Sequence, residues 1–545
     1  MRGGFDEAPS NDNARARLRL GSAPRAAFAA FLALVLGAAS GFARDYYFDA
    51  ATGADENEAT EVHPCQTIAH ANELSLTPGD RLLFHAGQTF PGNLVVTLSG
   101  YGDPTAPVTV GTSGAGRATI EAGAGCGIWV WNTSGVIVQD LNIVGAGADH
   151  NIGSGVRVEN TLPGGHGLAF VRIARVNCSG FGGSLEAIVR PFGSPADYGQ
   201  GIFVGGRPAD RSKSGYRDVR IEECEAYNNQ RYGILVTGAW NPLDEAYANT
   251  DVQVVNCLAH HNLGDPRMRD HHSGNGILLE EVDNGVIERC QAWENGALCN
   301  CPQGGPVGIW AAAANRIAIR NCAAFSNRTS SVDGAGFDLD GGVSNSIIED
   351  CISHDNEGAG LLLYSYPDSP HAFTSNIARN NLCINDGRKN GMAGIAVGRF
   401  GGLFEGLDIS RNIIVAAGRA GSGRAVSIFG KGAANVRFHD NLIIARDGAR
   451  LIEATSQPGL TFSGNVYRPD GSPFAITFDG QEYHSLTAFR EGSGQEPAET
   501  ALAEFKPSPG MSIEGVISFL ASALGGSGPG HPLPIAEAAL FGDGK

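Results

Sequence analysis

In the stretch GAGFDLDGG, from Gly334 to Gly342, two carboxyl side chains alternate with Phe337 and Leu339. Successive residues of an extended strand face opposite ways, so Phe337 and Leu339 are expected to enter a core while Asp338 and Asp340 share the other face, about 7 Å apart along the strand. Paired carboxyl groups are the machinery of glycoside hydrolysis. One protonates the leaving oxygen and the other acts as base or nucleophile, at a separation of roughly 5–9.5 Å. A solvent-facing strand that ends in the turn sequence Asp-Gly-Gly would carry the same residues, so the pair needs support from its neighbours.

The elements that must position it recur along the chain. VRIEECEAYNN from Val219, VQVVNCLAHHN from Val252, VIERCQAWENG from Val286, IAIRNCAAFSN from Ile317 and SIIEDCISHDN from Ser346 are versions of one unit. A period near 30 residues marks a solenoid, in which each unit packs on the next. One column runs Cys224, Cys257, Cys290, Cys322, Cys351, then Asn381, Asn412, Asn441 and Asn465, at spacings of 24–33 residues, and backwards through Val176 and Leu141. The 48-residue step between Val176 and Cys224 requires an insertion. The cysteines are expected to be small core filler, since thiols stacked coil upon coil suit disulfide geometry poorly.

A second strand recurs as Gly-apolar-x-apolar-x, from GIWVW at Gly127 through GFDLD at Gly336 to GIAVG at Gly394. Two registered strands per coil, turn residues between them and no 3.6 periodicity define a parallel β-helix. In the Gly-led strands the third and fifth residues form two outward columns. These set Glu280 in the column of Asp340, separated from it by Ala312, with Trp310 and Tyr364 beside the acids. Two coils separate Glu280 from Asp340 by about 10 Å of backbone. An aromatic-lined hollow with convergent carboxylates is the expected binding site, with Asp338, Asp340 and Glu280 as catalytic candidates and Trp310 and Tyr364 as sugar-stacking surfaces.

With its opening YYFDAATGAD, the segment CQTIAHANELSLTPGDRLLFHAGQTFPG and the coils above, the chain resembles the right-handed parallel β-helix proteins of the pectate-lyase-like superfamily over roughly residues 45–470. That resemblance implies lyases, glycoside hydrolases, epimerases, esterases and non-catalytic adhesins alike. In calcium-dependent lyases of the superfamily, carboxylates hold the ion. Asp333, Asp338 and Asp340 are the candidate calcium ligands on that reading, and a Lys or Arg must then act as base. The outward strand positions between Gly233 and Tyr364 carry no such base; loop residues Arg269, Lys389 and Arg399 are candidate substrate contacts. The inserted loop LGDPRMRDHHSGN leads into Glu280 and brings His271 and His272, either of which suits general acid or base work. With His260 and His261 nearby in sequence, this loop is also a candidate transition-metal site, though the spacing matches no established ligand pattern.

Composition narrows the partners. The formal net charge of −18 disfavours nucleic acid and anionic membrane, and repels polyanionic sugars unless a cation intervenes. Arginines at 15, 17, 19 and 25 precede the apolar run AAFAAFLALVLGAA and small residues ending at Ala43, the pattern of a secretory signal and shorter than a membrane span. The expected layout is a signal over residues 1–43, an N-terminal cap with a short helix and the first strands over 44–92, an all-β right-handed parallel β-helix of about eleven coils over 93–470, and a small C-terminal cap with a loose tail over 471–545. The expected protein is a secreted, periplasmic or cell-surface monomer acting on a polysaccharide by carboxylate-based hydrolysis, with no obligatory cofactor. A calcium-assisted lyase or uronate epimerase, and a non-catalytic carbohydrate-binding module, are the alternatives.

Overall fold

The computed structural model describes residues 43–183, 198–367, 369–418 and 423–497. The expected leader, apart from Ala43, and the expected tail beyond residue 497 lie outside the described residues.

Three long sheets run through the chain, two of 14 strands and one of 13, and all their pairings are parallel except a final antiparallel strand, Gln481–Tyr483. Each coil gives one strand to each sheet. In the coil of Val219 these are Gly215–Glu222 in the first sheet, Glu225–Tyr227 in the second and Tyr232–Thr237 in the third. The next coil repeats them in register, with Val219 opposite Val252, Ala226 opposite Ala259 and Ile234 opposite Ile277. The second sheet corrects the expectation of two strands per coil. Its strands span mostly three residues and follow a single left-handed residue, such as Glu223 or Asn256, which makes the corner; so short a strand shows no alternation of its own.

The Cys and Asn column forms that corner, and its thiols do more than fill space. Sγ of Cys290 accepts the Cys257 N–H at 3.4 Å and lies 3.4 Å from the Val254 carbonyl as its donor. Further along, Oδ1 of Asn381 accepts the Cys351 N–H at 3.0 Å, and Nδ2 of Asn381 donates to the Ile348 carbonyl at 3.0 Å. Thiol and carboxamide thus satisfy the same buried backbone groups coil after coil. A second file, Asn229, Asn262, Asn295, Asn327 and Asn356, closes the corner between the second and third sheets, each Oδ1 after the first accepting the N–H of the member before it, and that of Asn229 accepting the Phe181 N–H. The leading glycine of the third-sheet strands fits under this file: a Cβ on Gly336 would crowd Nδ2 of Asn356 and Oγ of Ser353.

The ends follow the expected plan in smaller pieces. The N-terminal cap holds a single-turn helix, α1 (Ile68–Ala71), capped by Thr67; Ile68 and Ala71 close the core. Helix α2 (Leu486–Ser493) closes the other end with Phe489, and Glu496 takes the last ladder bond from Asn465. The insertion between Val176 and Cys224 falls at the corner between the second and third sheets, between Ser179 and Gln200.

First-sheet strands bury one face. Central third-sheet strands bury both: every residue of Tyr232–Thr237, Val307–Ala312 and Ala335–Leu339 is buried. Loops projecting from the solenoid therefore cover the outer face on which the acids stand.

Candidate active site

Phe337 and Leu339 enter the core and leave Asp338 on the outer face, opposite Trp310 on one neighbouring strand and Leu362 on the other. Asp340 extends the ladder by one residue, its N–H bonded to the Ala311 carbonyl at 2.9 Å, and its Oδ1 accepts the Gly341 N–H at 2.7 Å. The alternation read from the sequence is correct, but its outward side is not open. Asp338 is 3 % exposed and Trp310 4 %. Trp310 is therefore a wall of the site rather than an open stacking platform.

The covering loops bring in groups that the sequence did not single out. The loop after Ser365 lays Tyr366 against Gly341, where a Cβ would meet the phenol ring, and sets Ser369 and His371 against Gly342. Lys213 reaches the strand end of Glu280 and donates to Glu281 at 2.7 Å and to the Ala239 carbonyl at 3.2 Å, all but sealed from solvent. Thr237 donates its hydroxyl to Glu280. His371 stacks on Tyr247 at 4.4 Å.

Burial dominates the electrostatics. It raises the Asp338 carboxyl well above the carboxylate range, helped by Asp340 and then Asp333. Asp340 keeps some solvent access, yet burial pushes it up to about 7 against the Gly341 N–H bond, with Asp333 and Glu280 adding to the rise. Asp333, which accepts the Gly305 N–H at 2.7 Å, is also raised by burial. Burial outweighs the Lys213 ion pair at Glu281 and pushes that carboxyl up to about 7. Tyr364 is pushed up to about 12 by burial and then by Asp340, Asp333 and Asp338. Tyr366 is raised further, by burial and by Asp340, Glu280, Asp338 and Glu281, so one phenol feels four of the five acids.

Four buried polar atoms of this region have no hydrogen-bond partner in the protein: Oδ1 of Asp338, Nε1 of Trp310, Oε2 of Glu281 and Nε2 of His371. Buried polar atoms are nearly always satisfied, so these four are open to water or to a bound polar group.

Of the histidines expected here, His272 joins the site. Its ring packs edge-on against Trp310 at 5.2 Å, Asn275 donates to its Nδ1 at 3.0 Å, and burial holds it well below the usual histidine range. His271 lies behind it, 4.2 Å away and beside Arg231. The loop cations point elsewhere. Lys389 donates to the Thr329 carbonyl, Arg399 to the carbonyls of Gly402 and Lys431, and Arg269 is exposed on its loop. Among the described residues no three His, Cys, Asp or Glu side chains group to hold a metal ion, and Asp333, Asp338 and Asp340 do not form such a cage.

Tyr364 does face an approach. Its ring lies 5.9 Å from Phe400 and 6.4 Å from Phe429, themselves 5.9 Å apart, and Phe400 is 63 % exposed. These three rings make an aromatic ramp leading from solvent to the acids.

The family model described as a right handed beta helix region matches residues 197–385. The chain is a right-handed parallel β-helix. Comparison with curated proteins found no match. Among solved structures, a GH136 lacto-N-biosidase from Eubacterium ramulus superposes with a TM-score of 0.55 at 15 % identity, covering 78 % of this chain and 68 % of that one. The A-module of a mannuronan C-5 epimerase from Azotobacter vinelandii gives 0.42 at 16 % identity, covering 74 % of this chain and 90 % of that one. At 15 % identity the likeness to the lacto-N-biosidase concerns the fold alone. No helix among the described residues is long and apolar enough to cross a membrane.

Proposed function

We propose that this β-helix is an exported glycoside hydrolase, with Asp338 as general acid and Asp340 as base or nucleophile. A β-helix hosts many chemistries, so the proposal stands on the site. The observation that carries it is the pair itself: two carboxyl groups on one strand face, one buried and held neutral with a free oxygen, the other poised near neutrality beside it. Pairs of titratable groups driven to different pKa values are how acid and base roles are divided.

In the proposed step, Asp338 gives its proton to the glycosidic oxygen as the bond from that oxygen to the anomeric carbon breaks. The Asp340 carboxylate either attacks that carbon or takes a proton from the attacking water. The water-poor surroundings strengthen both effects. Trp310 and Tyr366 close the reacting unit in, and Tyr364, Phe400 and Phe429 carry the adjoining sugars on their faces.

A uronate lyase requires a free base next to the acids. Lys213 is bound to Glu281 and the Ala239 carbonyl and so is not that base, which leaves His371, whose Nε2 has no partner in the protein, as the base a lyase would use. The test is incubation with neutral and uronate polysaccharides and oligosaccharides, with and without a calcium chelator, reading reducing ends and unsaturated products together. Reducing ends without unsaturation, indifferent to the chelator, are expected. Chelator-sensitive unsaturated ends would replace this proposal with the lyase, and binding without turnover would replace it with a binding module.

A further inference from the structure

Away from the acidic cleft, the corner after the second-sheet strand Leu258–His260 sets two imidazoles edge to face, their centroids 5.0 Å apart and their planes 83° to one another. Nδ1 of His260 lies 2.8 Å from Nδ1 of His261. The other nitrogen of each ring is taken: Nε2 of His260 stands 3.1 Å from a Glu225 oxygen, and Nε2 of His261 stands 2.6 Å from a Glu294 oxygen. An ionised carboxylate only accepts hydrogen bonds, so both Nε2 atoms carry hydrogens, and in the neutral rings both Nδ1 atoms are lone pairs. Two lone pairs at that distance repel unless one ring takes up a proton and donates it to the other, or a metal cation serves both.

The rings are also held in place. His260 is stacked between Tyr227 at 5.3 Å and Trp293 at 4.2 Å, nearly parallel to each, and His261 follows on a left-handed backbone at φ 53°. A carboxylate behind each imidazole is how proteins orient histidines that ligate metal. Glu225 and Glu294 also lend negative charge, partly offset by Arg328 at 3.6 Å from Glu294 and by Arg117 near Glu225. The His261 side chain is 41 % exposed and borders a groove of about 450 Å³ lined also by Asp149, Asn228 and Gln230, which leaves room for water.

We propose that Nδ1 of His260 and Nδ1 of His261 form a two-nitrogen site for a divalent transition metal ion of the zinc or copper class, completed by water. No third protein ligand of the His, Cys, Asp or Glu type groups with them, so the ion would keep open positions toward the groove.

The test is calorimetric titration of the full chain with Zn²⁺ at about pH 8, where histidine is neutral, and at about pH 5, where it is charged. One ion per chain is expected at the higher pH, with loss of affinity at the lower, because protons compete for the same Nδ1 atoms. His261→Ala and His260→Phe, the latter keeping an aromatic ring in the stack, should each weaken binding at least tenfold; Glu294→Gln, which disturbs only the supporting carboxylate, should weaken it by about 10–100-fold. Circular dichroism checks that each variant is folded. Lack of saturable binding to the wild type overturns the site, as does binding equal in wild type and the folded histidine variants. Loss of binding in His271→Ala alone would overturn it equally, by assigning the ion to the other histidine pair. Because none of these residues borders the acids, failure here leaves the hydrolase proposal standing, and the reverse.

Discussion

Trp310 and Asp338 are register partners on adjacent strands, so indole and carboxyl stand side by side on the outer face of the sheet, both buried and each with one polar atom that no protein group binds. A buried donor next to a buried acid, both unmet, is costly to maintain in a fold that satisfies its backbone coil after coil. Sugar hydroxyls and a glycosidic oxygen would meet both needs, and the following expectations rest on that relationship.

The pH dependence of kcat/KM should have its acid limb near neutrality. Asp340 must be ionised to act, and its carboxyl is pushed up to about 7, so activity should rise as pH climbs through that value. Stability should move the other way. Since the folded-state value lies above the ordinary carboxylate value, folding favours the protonated form, and that contribution is lost as pH rises from the ordinary carboxylate range to about 7. Asp340→Asn should therefore gain thermal stability over the wild type at about pH 8 and little at about pH 4, below the folded-state value. An acid limb near pH 4 with no stability gain would show that the carboxylate is solvated.

The aromatic ramp should act through binding. Replacing Phe400 or Phe429 by Ala removes a stacking surface worth about 1 kcal/mol, so KM should rise about fivefold while kcat changes little. Steady-state kinetics on a substrate longer than one sugar unit measures it. A fall in kcat at constant KM would place these rings in the reacting subsite.

The corner ladder should tolerate Cys and Asn but not Ala. Asn412→Ala leaves the Asn381 N–H and side-chain amide without their acceptor and should cost about 2–5 kcal/mol in chemical denaturation, whereas Asn412→Cys keeps a weaker acceptor and should cost less. Equal losses would mean that the column is filler.

Breaking the Lys213–Glu281 pair should be severe and pH dependent. Lys213→Met strands a carboxyl that is fully buried, at about 3–5 kcal/mol. The loss should deepen with rising pH, because a raised Glu281 is tolerated protonated and not as a carboxylate. Adding Glu281→Leu should restore much of the stability, as read from unfolding midpoints across pH.

Much of the fold was legible because a solenoid writes its register into the sequence. Val219 and Val252, Gly308 and Gly336, and Cys351 and Asn381 announced their stacking by spacing alone, and the same registers appear in the sheets. The second ladder was also visible, in the Asn that closes AYNN, AHHN, AFSN and SHDN, once the three-residue strands are recognised. At the site, strand alternation places Asp338, Asp340, Glu280 and Trp310 correctly, because a strand's direction is local. Lys213, Tyr366 and His371 were not legible there. They arrive on loops whose path depends on how the outer face is covered, and no periodicity encodes it. The same coverage turned an expected open face into a buried one.

The central claim is that Asp338 and Asp340 are the chemical pair, and the direct measurement is turnover by Asp338→Asn and Asp340→Asn on whichever glycan the wild type cleaves, with binding of that glycan followed in parallel. The account predicts that both variants fold, still bind, and lose kcat by at least about a hundredfold, as expected when a positioned acid or base is removed. Folded variants that cleave at the wild-type rate would contradict it, and would leave the carboxyl pair as part of the wall of the β-helix.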